Sequence, residues 1–216
     1  MKNIPWWLLK LLLTILVAPN ISYANDWLDQ YFEARSKGDY QDALTIIKPL
    51  VESGNPAAQS LLAYSYLNGL GVPKDVSIAK SLYTAAAKQG YSLSAYSLGL
   101  LHKDEAERTG NTYEYRASIK WFKAFFEDNQ DGTIEINGSS AAFWLGTYYQ
   151  NGNGVIKDNV SAHMWHNIAE SLPGNIKRLA GKFPPTKLLE LSMSPEELAE
   201  AQKLARECVR GKYRDC

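Results

Sequence analysis

The segment Gly69-Leu70-Gly71-Val72-Pro73-Lys74-Asp75 returns 83 residues later as Gly152-Asn153-Gly154-Val155-Ile156-Lys157-Asp158. Its surroundings return with it. Ala58, Leu62, Ala63 and Tyr66 match Ala141, Leu145, Gly146 and Tyr149, and Ala79, Leu82, Tyr83 and Ala86 match Ala162, Trp165, His166 and Ala169. A degraded copy lies between them, with Leu98 and Gly99 standing 36 residues after Leu62 and Ala63. A half-copy precedes them, with Ala43, Ile46, Ile47, Leu50 and Gly54 standing 36 residues before Ala79, Leu82, Tyr83, Ala86 and Gly90. This gives four units, about 26–54, 55–90, 91–129 and 139–173. Self-similarity at such a period is the mark of a stack of small units, none of which can hide its apolar face alone.

Each unit reads as two helices. Ala58, Leu61, Leu62 and Tyr66, and then Ala79, Leu82, Tyr83, Ala86 and Ala87, follow the spacing of one apolar helical stripe. Small residues (Ala63, Gly99 and Gly146) stand where helices would approach closely. The Gly-x-Gly turn supplies positive-φ positions and a C-terminal stop, and its trailing Asp caps the next helix. Gly54 and Gly90 end the second helices in the same way. The only strand-like alternation is the short stretch Thr133-Ile134-Glu135-Ile136-Asn137, inside a polar insert (Asp128 to Ser140) that breaks the period.

The pattern A-x-x-x-L-G/A-x-x-Y-x-x-G-x-G-V-x-K-D, followed by A-x-x-W/L-Y/H-x-x-A, resembles the Sel-one-like repeat (SLR) family, a relative of the tetratricopeptide (TPR) repeat. The resemblance covers residues about 26 to 173 and, more loosely, the C-terminal helix. It departs from the pattern in unit 91–129, where Lys103 to Arg108 replace the Gly-x-Gly-Val turn, and in the first unit, where Gly38 to Ala43 look like the TPR version. It implies an all-α, right-handed superhelical solenoid of stacked helical hairpins. It also implies an adaptor that binds a protein or extended peptide on its concave face, with no catalytic residue and no cofactor. A cysteine-rich branch of the family implies the rival reading, a β-lactam-binding or cell-wall-modifying enzyme. That branch carries a cysteine pair in each repeat and this chain has none within its repeats, and the full acylating set of Ser-x-x-Lys, Ser-Asp-Asn and Lys-Thr-Gly is absent.

Residues 1–24 read as a cleavable signal peptide: Lys2 and Lys10, the apolar run Leu11 to Ala18, then small residues Ser22 and Ala24 at the cut. The run is too short to span a bilayer, which takes about 20 residues; the alternative is an uncleaved anchor. The chain from Asn25 carries 21 basic and 23 acidic residues, since Lys2 and Lys10 leave with the signal. That balance gives no reason to expect nucleic acid or, after cleavage, a membrane as partner, and a periplasmic or secreted monomer is expected. The only two cysteines, Cys208 and Cys216, predict a disulfide that ties the tail to the last helix; two free thiols are the alternative. Residues 174–216 form a linker, broken by Pro184-Pro185, and a capping helix. Ser194-Pro195-Glu196-Glu197 starts that helix, Leu198, Ala201, Leu204, Ala205 and Cys208 form its stripe, and Gly211 stops it.

His163, His166 and Glu170 fall on one side of a helix, as zinc ligands can. The repeat alignment speaks for another role: His166 takes the place of Tyr83 and Phe122 as an aromatic filler, and His163 that of Lys80 on the wet side. No metal site is therefore expected. Asn137-Gly-Ser and Asn159-Val-Ser match the glycosylation pattern. By resemblance to the TPR arrangement, first helices line the concave face. Its outward positions are Ser60, Tyr64, Leu67 and Asn68, then Tyr96, Leu100, Lys103 and Asp104, then Phe143, Thr147, Gln150 and Asn151. Aromatic anchors among amides suit a peptide groove; the alternative is that these residues pack on neighbouring helices.

Overall fold

The computed structural model describes residues 26–127, 134–173, 185–214 and 216. The signal segment, the start of the insert and the 174–184 linker lie outside them. Among the described residues every regular element is a helix. The chain divides into two compact units, one reaching to Ile47 and one from Lys48 to Cys216. In the first, α1 (Asp26–Lys37) leads through Gly38, at φ 86°, into α2 (Tyr40–Glu52), whose last turn crosses the boundary. Tyr31, Ala43 and Ile47 are its buried side chains.

The second unit runs α3 (Pro56–Asn68), α4 (Val76–Ala87), α5 (Ser92–Thr109), α6 (Thr112–Glu127), α7 (Ile134–Asn151), α8 (Asn159–Ser171), α9 (Pro185–Glu190) and α10 (Pro195–Arg210). Consecutive helices from α3 to α8 pack on one another, α5 also touches α7, and α9 and α10 both pack on α8. These are helical hairpins in a stack, each covering the apolar flank of the next.

The two echo segments fold alike. Asp75 and Asp158 hold the same extended conformation, φ −147° and ψ 106°. The Oδ1 of Asp75 accepts from Ser77 and Ile78 N–H, both at 2.9 Å, and that of Asp158 from Val160 and Ser161 N–H at 2.9 and 3.2 Å. Each satisfies two of the amides a helix start leaves unpaired. Where the third unit lacks the glycine turn, nothing stops the first helix. α5 therefore runs on through Lys103 to Arg108 and ends at Gly110, in the left-handed conformation. The strand-like residues 134–137 open α7.

Inside each hairpin a small residue receives a ring. A Cβ on Gly99 would stand 2.5 Å from the Phe122 ring, and one on Gly146 2.7 Å from His166. The rings belong to equivalent positions of the second helices, so one packing device recurs with a changed aromatic. Ser118 Oγ donates to Gly99 O at 2.8 Å and lies 3.1 Å from Tyr148 Oη, which satisfies polar atoms within this core.

The last helix opens on a capping box. Ser194 Oγ accepts from Glu197 N–H, and Glu197 Oε2 accepts from Ser194 N–H at 2.8 Å. Ala201, Ala205 and Cys208 are buried. α10 ends at Arg210, but Gly211 is not the left-handed residue: Lys212 and Tyr213 take φ 53° and 63°. That turn lets Cys216 close a disulfide with Cys208, Cα to Cα 5.5 Å. The tail also reaches back to α6, where the Tyr213 ring lies 5.2 Å from Phe126 and Lys123 Nζ donates to Cys216 O at 3.1 Å. Replacing both cysteines by serine is expected to cost about 2–3 kcal/mol, the loop-closure value for so short a loop. Urea midpoints of the native and doubly substituted chains check it.

Candidate interaction face

The repeat offset sorts the twelve first-helix positions into four rows across α3, α5 and α7, and the structure treats the rows differently. In the row Ser60, Tyr96 and Phe143, Ser60 and Phe143 are buried and Tyr96 is half-buried. Tyr96 packs at 6.0 and 5.5 Å from the rings of Phe122 and Phe125, and Phe143 at 5.5 Å from His166. These rings point to the second helix of their own hairpin, so this row belongs to the core. The expectation that Ser60 and Phe143 present themselves outward is corrected accordingly.

The other rows reach the surface. Tyr64 is exposed, while Leu100 and Thr147 are half-buried; Asn68, Asp104 and Asn151 are all exposed. In the row Leu67, Lys103 and Gln150, the outer two are half-buried and Lys103 is buried. Its Nζ donates to Glu107 at 2.8 Å and Asp104 at 3.1 Å and sits 4.3 Å above the Trp144 ring. Burial works against this charge, but the two carboxylates outweigh it and hold the amine above the ordinary lysine range. Lys103 is a clamp between α5 and α7, occupied by the stack's own contacts rather than offered to a ligand. Trp144, half-buried beside it, is a surface aromatic the sequence analysis missed. Its spacing to Thr147, Tyr148 and Asn151, at i+3, i+4 and i+7, is the signal that marks it.

The His163, His166 and Glu170 set does not converge. His166 fills the space above Gly146. His163 is buried, not wet as its alignment with Lys80 predicts, because α9 covers that flank of α8 and brings Glu190 Oε1 to 3.8 Å from its Nε2. Neither imidazole has a hydrogen-bond partner among the described residues. Burial pushes His166 down to about 4, with the neighbouring His163 acting the same way, and lowers His163 against the pull of Glu190. Glu170 turns elsewhere and accepts from the hydroxyl and the N–H of Thr186 at 2.9 and 3.3 Å, anchoring α9. Among the described residues no three His, Cys, Asp or Glu side chains are placed to hold a metal ion.

Residues 56–91 and 139–172 match the model of the Sel1 repeat. Similar solved structures include a Sel1 repeat protein from Oxalobacter formigenes, 26% identical with a TM-score of 0.48, over 68% of this chain and 96% of that one. Another is c5321, a protective antigen of uropathogenic Escherichia coli strains displaying an SLR fold. It is 24% identical with a TM-score of 0.40, over 80% of this chain and 42% of that one. No curated protein matches the chain.

Proposed function

Because this chain belongs to the Sel1-like repeat family, helical-repeat proteins that commonly serve as interaction scaffolds, we propose that it is an exported, monomeric adaptor. Its first helices receive an extended segment of a partner protein, with no covalent chemistry. The observation that carries this reading is the division of the rows. Ser60, Tyr96 and Phe143 build the hairpins, which leaves Tyr64, Leu100 and Thr147, with Trp144, Leu67 and Gln150 beside them, as an accessible strip along three successive units. Half-buried aromatic and aliphatic anchors rimmed by Asn68, Asp104 and Asn151 are what a peptide groove presents.

Export is supported by the Cys208–Cys216 disulfide, a bond that persists in oxidising compartments. No helix among the described residues is long and apolar enough to cross a membrane. The exported form begins at Asn25.

A photo-crosslinking residue at position 64, 100 or 147 is expected to capture the same partner from the native compartment, and one at Ser81 or Lys120, on second helices, none. Capture only from the second-helix positions overturns the assignment of the face. In the same preparation, a mass that retains residues 1–24 overturns cleavage after Ala24, and free Cys208 and Cys216 thiols overturn export.

A further inference from the structure

The turn after α10 is one that its residue types disfavour. Lys212 and Tyr213 stand side by side at φ 53° and 63°, in the left-handed region that residues other than glycine, asparagine and aspartate rarely enter. Such a pair persists only where its surroundings over-determine it. Here the surroundings are the ring that Cys216 closes on Cys208, the Tyr213 N–H donating to Cys208 O at 2.8 Å, and two contacts with α6. Tyr213 packs on Phe126, and Lys123 Nζ donates to Cys216 O.

The two sulfurs of that ring are not equivalent. Cys208 belongs to the buried stripe of α10, with Ala201 and Ala205, and is 6% exposed. α10 packs on α8. Cys216 is half-buried at the surface. A thiolate attacks one disulfide sulfur and expels the other, and access decides which of the two is struck. Cys216 can be approached from solvent, whereas a reagent aimed at Cys208 must enter the core. Lys123 adds positive charge beside Cys216, and the attacking thiolate is an anion.

We propose that Cys216 is a site of S-thiolation, at which a small thiol opens the ring and frees the tail. The incoming thiolate bonds to Cys216 Sγ, the bond to Cys208 breaks, and Cys208 leaves as a thiolate that takes a proton from water. The incoming sulfur is oxidised and the Cys208 sulfur reduced, so the step needs no other oxidant or reductant. The Cys208 thiol then stays in the core as a small apolar residue. With the ring open, nothing covalent holds Lys212 and Tyr213 left-handed, and the tail comes away from α6. The Phe126 ring, 1% exposed while Tyr213 covers it, gains an open edge. Thiolation thus turns a covered flank of α6 into an apolar surface. This does not depend on what the first-helix face binds.

Glutathione, a small anionic thiol, tests this on the folded chain. After brief reaction and trapping with N-ethylmaleimide, peptide mapping is expected to find glutathione on Cys216 and maleimide on Cys208, at least roughly tenfold over the reverse pattern. In urea, with both sulfurs open to solvent, that preference is expected to vanish. The single variants repeat the test without the ring: with oxidised glutathione, C208S is expected to take up the adduct at least roughly tenfold faster than C216S. Trypsin is expected to cut after Lys212 faster in the thiolated chain than in the native one. Glutathione found mainly on Cys208, a preference that survives unfolding, equal uptake by the two variants, or unchanged cleavage after Lys212 overturns the proposal. So does a ring that glutathione does not open.

Discussion

Lowering the pH from 7 to 4.5 is expected to remove about 2.5 kcal/mol of folding stability through His166 alone, at about 1.4 kcal/mol per pH unit. The ring is buried with no hydrogen-bond partner among the described residues, and its folded value lies near 4 against an unfolded value near 6.5. A depressed folded value means that the unfolded chain binds the proton first. The contribution is therefore complete above about pH 6.5, falls as the pH drops towards 4, and levels off below that. His163 acts in the same direction, lowered by burial against the pull of Glu190 and Glu170. Carboxylates held low by partners, such as the exposed Glu33 and the half-buried Glu105, lie outside this core. The measurement is the urea midpoint at the two pH values. H166F is the decisive companion, because Phe122 already fills the same position over Gly99. It is expected to flatten most of the pH dependence; an unchanged slope would place the acid sensitivity elsewhere.

Gly154→Ala is expected to cost about 3 kcal/mol, against about 1 kcal/mol for Gly152→Ala. The two glycines share nearly the same positive φ, 77° and 75°, so both carry the penalty that an L side chain pays there. They differ in what a Cβ meets. At Gly152 the nearest atoms are 3.5 Å away, an ordinary contact, whereas at Gly154 they are Tyr115 Cβ at 2.8 Å and Arg116 N at 2.9 Å. Backbone cannot swing aside as a side-chain tip can, so the methyl must push the fourth hairpin off the third. Denaturant titration of the pair isolates that junction. Equal losses would mean that the close approach contributes nothing beyond the turn.

Hairpins, glycine turns, Asp caps and the capping box were legible because each rests on local chemistry within one or two helical turns. The disulfide was legible from cysteine number and spacing. What could not be read depends on neighbours far along the chain. Alignment with Lys80 puts His163 in water, but Lys80 has no α9 across it, and a residue at the end of a stack meets whatever closes the stack. Row by row, periodicity could not say whether Ser60, Tyr96 and Phe143 face a ligand or their own second helix. Both choices lie on the same helix, separated by a small rotation that the Gly99 and Gly146 contacts fix. Lys103 reads as a groove charge until Trp144 is seen beneath it.

Stacks of repeats unzip from their ends, because a terminal unit has only one neighbour to hold it. Here the final hairpin is spared that weakness. α10 lies on α8 while Tyr213 and Cys216 hold α6, so peeling the last unit away requires breaking grips on two successive hairpins and straining a covalent ring. Fraying at this end becomes a joint event of two hairpins, not the loss of one.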